Sequence, residues 1–183
     1  MAGKEPESGP TAKTVAENVA RLRTAQKMNY KQLSDTLLAR ANWSINAVGI
    51  RRIESGERRV TVDDLMALSV ALGVSPSTLI YPDADDAGAR VSATGLPQPE
   101  NARVLWEWVS ASMWAYWALE HVGGFTKPSD FFRRAWPQWM LQDLDGPNGS
   151  TLDFYDSTWA ESREQTRKRQ LEREVQAPDG DDQ

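Results

Sequence analysis

Residues 46–59 read Asn46-Ala47-Val48-Gly49-Ile50-Arg51-Arg52-Ile53-Glu54-Ser55-Gly56-Glu57-Arg58-Arg59, and this stretch decides the fold of the first half of the chain. At the helical period, Ala47, Val48, Arg51, Arg52 and Ser55 fall within one arc, and Ile50 and Ile53 fall on the opposite side. The two isoleucines must then be the buried face, so the arc that carries the arginines looks outward. Asn46 stands at the helix start, and Gly56 is a good residue just past its end. Gly49 inside the helix costs about 1 kcal/mol relative to Ala. Taken alone, a run such as RRIESGERR is usually a solvated charged face, so its flanks carry the decision.

Working outward, the flanks are short helices with clear stops. Val15, Val19 and Leu22 form one apolar stripe and predict a helix from about Thr14 to Lys27. Leu33 and Leu37 do the same from about Tyr30 to Arg40, with Asn29 as N-cap. After the arginine-bearing helix, Thr61 is an N-cap, with Asp63 and Asp64 in the favourable first turn. Leu65, Leu68 and Leu72 are the apolar set of that fourth helix, and Gly73 stops it. Ser75-Pro76 opens a short fifth helix through Leu79 and Ile80, with Pro at its first position.

Several of these segments, in this order and spacing, resemble the Xre/Cro-type helix-turn-helix family of transcriptional regulators, phage repressors included. Ile50 to Arg59 resembles the end of that family's recognition helix, Gln32-Leu33-Ser34 its scaffold helix, and Thr61 to Pro76 its fourth helix and the turn that follows. The resemblance covers residues 14–81. Three features depart from the pattern. Leu38 to Ile45, LARANWSI, lengthens the turn between the second and third helices, Tyr30 stands where many relatives place a phosphate-contacting Gln, and Gly49 interrupts the recognition helix.

The resemblance implies that the outward arc enters the major groove of double-stranded operator DNA. Ala47 or Val48 would touch a thymine methyl, and Arg51 or Arg52 would make a bidentate contact with guanine. Asn46 would meet a base or a phosphate. Ser55, Arg58 and Arg59 are expected at phosphates, and Tyr30 and Gln32 at the start of the scaffold helix complete the candidate DNA-binding residues. Trp43, in the long turn, is expected to be a packing anchor.

The whole chain has 183 residues, with 21 Lys plus Arg against 26 Asp plus Glu, and its net charge of −5 argues at face value against nucleic acid. Dividing it changes the meaning. Residues 11–81 hold ten Lys or Arg and six Asp or Glu, a net of +4, whereas residues 82–183 hold ten and eighteen, a net of −8. The segment expected on DNA is basic, and the acidity lies elsewhere. With no Cys there is no disulfide framework and no thiolate chemistry, and one His leaves little for a His-based metal site. No cofactor or metal is expected. Residues 1–10 lack the apolar stretch of a signal peptide. The longest apolar run without charge, Trp108 to Leu119, has twelve residues, where roughly 20 are needed to span a bilayer. The expectation is a cytoplasmic protein with no membrane segment.

Composition divides the chain into a disordered N-terminal segment at 1–13, a helix-turn-helix domain at 14–81 and a linker at 82–100, which reads PDADDAGARVSATGLPQPE. A tryptophan-rich helical domain follows at 101–177, and an acidic tail at 178–183. Seven of the eight tryptophans lie from Asn101 onward. Glu100 to Val122 reads as one long helix with a wide apolar band, stopped by Gly123-Gly124. Ser129 to Leu141 reads as a helix broken at Pro137, Asp143 to Ser150 as a loop, and Ser157 to Val175 as a charged helix with i,i+4 pairs. The tryptophans are expected as core packing. A homodimer or partner interface and a second DNA-contacting module built on Arg133, Arg134, Arg163, Arg167, Lys168 and Arg169 are the alternatives.

Catalytic readings find little support. Ala87-Gly88 resembles the cleaved bond of self-cleaving repressors, but the second half has two lysines, Lys127 and Lys168, and reads as helical rather than β-rich. Asp143 and Asp145 sit in a stretch of turn residues. His121, near a helix end, reads as a cap or surface residue. The fold class is therefore all-α, a five-helix Xre/Cro-type domain plus a tryptophan-rich helical domain. The expected function is sequence-specific DNA-binding regulation, as a repressor that occludes its operator, and not an enzyme. The alternative is a protein-interaction module, an antitoxin or host-factor inhibitor, whose DNA-binding domain is autoregulatory.

Overall fold

The computed structural model describes residues 8–112, 127–146 and 149–176. Two compact units divide after Ser112. The first opens with five helices: α1 (Pro10–Ala25), α2 (Tyr30–Ala41), α3 (Ala47–Glu54), α4 (Val62–Leu72) and α5 (Pro76–Ile80).

Their ends follow local chemistry. Asn29 and Thr61 each accept a hydrogen bond from the N3 backbone while the N3 side chain reaches back, so α2 and α4 both begin with a capping box. Asn46 and Ser75 cap α3 and α5. Gly56 and Gly73, at φ 74° and 70°, take the left-handed conformation that ends α3 and α4. Asn42 adopts it at the end of α2, and the chain then runs without regular secondary structure to Asn46. Helix α1 begins earlier than expected. Pro10 is pre-set for a first helical position and Thr11 to Lys13 continue the turn, so these four residues are helix rather than part of a disordered lead-in.

Apolar faces close the bundle. Val19, Leu33, Leu37, Ile45, Ile50, Ile53, Leu68 and Leu79 are fully buried together. Two polar ties add direction to this packing. The buried Asn18 amide donates to the carbonyls of Thr78, Leu79 and Tyr81, which fixes the end of α5 on α1. Arg23 makes a two-pronged pair with Glu54, at 2.6 and 2.8 Å, and a third bond to the Met28 carbonyl. That pair joins α1 to α3. The hydrogen bond to Glu54 is the main reason the Arg23 pKa lies above its ordinary value.

The stretch expected as a linker is folded onto the same unit. Strands β1 (Arg90–Val91) and β2 (Glu100–Asn101) pair antiparallel, and α6 (Ala102–Val109) follows. Thr11 and Thr94 exchange hydrogen bonds, each hydroxyl accepting from the other's backbone N–H. Asp83 pairs with Arg21 at 3.1 Å, and Trp106 meets Tyr81 edge-on at 5.1 Å. Gly9 permits the approach, since a Cβ there would lie 2.6 Å from the Thr94 hydroxyl. Small and polar residues thus serve close docking here, not slack.

Helix α6 also ends sooner than its apolar band suggests. The Ser110 hydroxyl bonds back to the Trp106 carbonyl, and Ala111 turns into the left-handed region at φ 47°. The helix therefore closes at Val109 rather than running to Val122. Trp114, Trp117, His121 and the Gly123-Gly124 stop lie outside the described residues.

The second unit contains α7 (Pro128–Ala135), α8 (Gln138–Gln142), the paired strands β3 (Asp145–Gly146) and β4 (Gly149–Ser150), and α9 (Thr151–Gln176). Helices α7 and α8 part at Pro137, as the proline requires. Helix α9 starts before Ser157, at the end of the β3–β4 hairpin. Phe131, Phe132, Trp136, Leu141, Leu152 and Trp159 are buried, and the Phe132 and Trp136 rings stack at 4.4 Å. Asp156 of α9 accepts from the backbone and hydroxyl of Ser129 and from Lys127, so α9 supplies the N-terminal cap that α7 lacks. Among the described residues, no helix is long and apolar enough to cross a membrane.

Candidate nucleic-acid interface

Helix α3 presents the arc that its sequence periodicity predicts. Ile50 and Ile53 are fully buried, while Val48, Arg51, Arg52 and Ser55 are exposed and Ala47 is half-buried. Val48 is 53% exposed, an apolar side chain held in water at the helix's N-terminal end. Arg51 and Arg52 follow one turn later. Arg52 lies 4.0 Å from Glu57, a surface pair of little energetic weight that leaves the guanidinium available. Small apolar groups ahead of two cations on one helical face match the T-methyl and guanine chemistry of the major groove.

The remaining candidates divide. Asn46 is exposed, and its side-chain oxygen caps α3 by accepting from the Gly49 N–H at 2.7 Å. Ser55 is exposed at the other end, where its hydroxyl donates to the Arg52 carbonyl. Arg59 is exposed. Gln32 is exposed at the start of α2, with its carbonyl oxygen taken by the Asn29 N–H. Tyr30 is half-buried, and the Arg23 guanidinium covers its ring face at 4.3 Å. Tyr30 therefore packs, where the resemblance implies a phosphate contact.

Arg58 departs furthest from its expected phosphate role. Its Nη2 donates to Asp64 Oδ2 at 3.0 Å. Asp64 is 2% exposed, and its other oxygen accepts from the Trp43 indole N–H at 2.8 Å. Thr61 completes the set: its hydroxyl accepts from the Asp64 N–H, and its N–H donates to Oδ2. Burial pushes the Asp64 pKa up, but the hydrogen bonds from Trp43 and Thr61 and the charge of Arg58 outweigh it, so the carboxylate titrates below its ordinary range. Gly49 now has a physical reason. A Cβ at that position would come within 2.8 Å of Arg58 Nη1, so the guanidinium lies where a side chain on α3 would otherwise be.

Sequence reasoning found the outward arc and the caps but missed Asp64 and the use of Arg58. Two signals were present. A tryptophan in a polar turn needs a partner for its N–H, and Thr61-x-x-Asp64 has the spacing of a capping box. Neither signal names its partner, because Trp43 reaches Asp64 from 21 residues away and Arg58 reaches it around the turn between α3 and α4.

Residues 19–79 match the model of a protein family described as Helix-turn-helix. The match takes in the last seven residues of α1, all of α2, α3 and α4 and most of α5, and so the whole outward arc. Among curated proteins and among solved structures, none matches the chain. The matched family supports a DNA-binding transcriptional regulator in general terms, and it is a regulatory family rather than one of enzymes.

Proposed function

We propose that the protein, whose first unit contains a helix-turn-helix segment, is a sequence-specific transcriptional regulator that acts in the cytoplasm as a repressor by occluding an operator. One observation carries the reading: within the matched segment, α3 buries Ile50 and Ile53 and offers Val48, Arg51 and Arg52 to solvent on the opposite face. Arg51 and Arg52 supply guanine contacts, Ala47 and Val48 a thymine methyl, and Asn46, Ser55, Arg59 and Gln32 the flanking backbone contacts. The deciding experiment selects bound duplexes from a random DNA pool with the full chain. A recovered motif supports the reading, and its symmetry reports whether two copies bind. A pool without enrichment would sink it.

The second unit favours a further reading. Trp139 and Phe154 are each 65% exposed, whereas most of the other large aromatics among the described residues of that unit are buried. Exposed aromatic groups of this kind suit a protein contact, with a second copy of the chain or a different partner. If that contact is the main function, the protein is an antitoxin or host-factor inhibitor and DNA binding is autoregulatory. Pull-down of a stoichiometric partner through residues 127–176, together with failure to enrich any DNA sequence, would favour this second reading.

A further inference from the structure

We propose that Asp64 is the positioning residue of the recognition helix: one buried carboxylate clamps both flanks of α3, through Trp43 before it and Arg58 after it, and thereby sets which DNA sequence the outward arc reads. This rests on the DNA-binding reading and adds to it a residue that the arc does not contain.

Helix α3 has eight residues, and a helix so short takes its orientation from what holds it. Ile50 and Ile53 hold its inner face, but apolar packing has no preferred direction and tolerates small rolls. The directional contacts lie at its ends. Trp43 precedes the N-cap Asn46 in the extended turn, and its indole N–H meets Asp64 Oδ1 at 2.8 Å. Arg58 follows the C-cap Ser55, and its guanidinium meets Oδ2 at 3.0 Å. Each oxygen of one carboxyl group thus holds one flank.

Asp64 itself is fixed by the Thr61 capping box at the start of α4, whose inner face is part of the core. The guanidinium of Arg58 also lies against the first turn of α3, in the space that Gly49 leaves. A roll of α3 about its axis must therefore break a bond to Asp64 or push Arg58 away. Base readout requires side chains held to within about 0.5 Å, so loss of the clamp blurs discrimination before it removes binding. Arg58, which looks like a phosphate contact in the sequence, and Trp43, which looks like a packing anchor, both act through Asp64.

The test uses the full chain, the site recovered by random-pool selection and a scrambled duplex of equal length. Affinities for both are measured across a salt series, at a temperature where circular dichroism shows each variant folded. Trp43→Phe keeps an aromatic ring, though a smaller one, and removes the N–H, Asp64→Asn removes the charge, and Arg58→Gln removes the pair. A general loss of stability lowers both affinities alike and leaves their ratio unmoved. The clamp predicts a fall in the specific-to-scrambled ratio of about tenfold for Asp64→Asn, with a smaller fall for Trp43→Phe. It also predicts an unchanged salt slope for Arg58→Gln.

Ratios that stay within about twofold of wild type in Asp64→Asn and Trp43→Phe would overturn the proposal. So would an Arg58→Gln variant that weakens both duplexes equally and lowers the salt slope by about one, the signature of a phosphate contact. Should Asp64→Asn not fold, Trp43→Phe decides alone. If the wild-type protein enriches no site, the DNA-binding reading fails and the clamp with it. A recovered site with unchanged ratios removes only the clamp.

Discussion

Arg51 and Arg58 belong to one run of sequence, RRIESGERR, and the fold treats them in opposite ways. Arg51 sits on the outward face of α3, exposed beside Arg52 and Val48. Arg58 turns back across the helix and pairs with a buried aspartate. The outward face is built from side chains whose charge stays solvated until a ligand arrives. The C-terminal end of the helix is built from charges matched within the protein: Glu54, its last residue, with Arg23, and Arg58 just beyond it with Asp64. A cationic run on a DNA-binding segment is therefore not one functional unit, because its members divide between reading and holding.

The largest expected effect tests the holding side. Glu54→Ala leaves the Arg23 guanidinium half-enclosed without its two-pronged partner, and should cost about 3 kcal/mol of folding stability in urea unfolding. A loss under about 1 kcal/mol would show that Arg23 is held by the Met28 carbonyl and the Tyr30 ring instead. The reading side comes next. Arg51→Ala and Arg52→Ala should each lose about 1–3 kcal/mol of affinity for the selected site, with the unfolding midpoint nearly unchanged. Unchanged binding in both variants would remove α3 as the reading helix.

Acid separates the two sides further. The Asp64 carboxylate is held below its ordinary pKa of 3.8, so the folded protein binds that proton less readily than the unfolded chain does. Its contribution is complete above about pH 4 and fades as pH falls through the lowered value. Asp64→Asn should flatten the acid limb of a stability-against-pH curve below about pH 4, and Arg51→Ala should leave that limb as it is. An identical limb in Asp64→Asn and wild type would show that Asp64 carries no linked stability.

The smallest effect is the most diagnostic for local chemistry. In an unconstrained helix, Gly49→Ala would stabilise by about 1 kcal/mol. Here the new methyl meets the Arg58 guanidinium, so no net gain is expected in thermal unfolding. A full gain would mean that Arg58 moves aside at no cost.

Legibility in the sequence tracked how local the determinant is. The caps at Asn29, Asn46, Thr61 and Ser75 and the glycine stops at Gly56 and Gly73 each depend on a few consecutive residues, and each was placed by reading along the chain. The outward arc was legible because helical periodicity needs only the spacing of Ile50 and Ile53. Composition misled at residues 82–100, where small and polar residues suit a close-packed segment as well as a loose one. Periodicity misled at α6, whose apolar band gives no sign that the Ser110 hydroxyl and the left-handed turn at Ala111 close the helix at Val109.

The sequence alone therefore determined the existence of the first five helices, most of their ends though not the start of α1, and the face of α3 turned to solvent, because backbone capping and side-chain periodicity act within one or two turns. Tertiary structure alone decided which arginine is free to read and which is committed to holding. That choice depends on where Asp64, Trp43 and Gly49 meet in space. A charge leaves water only for a partner that geometry brings within hydrogen-bond reach, and such a meeting across 21 residues between Trp43 and Asp64 is made by the packing of α2, α3 and α4.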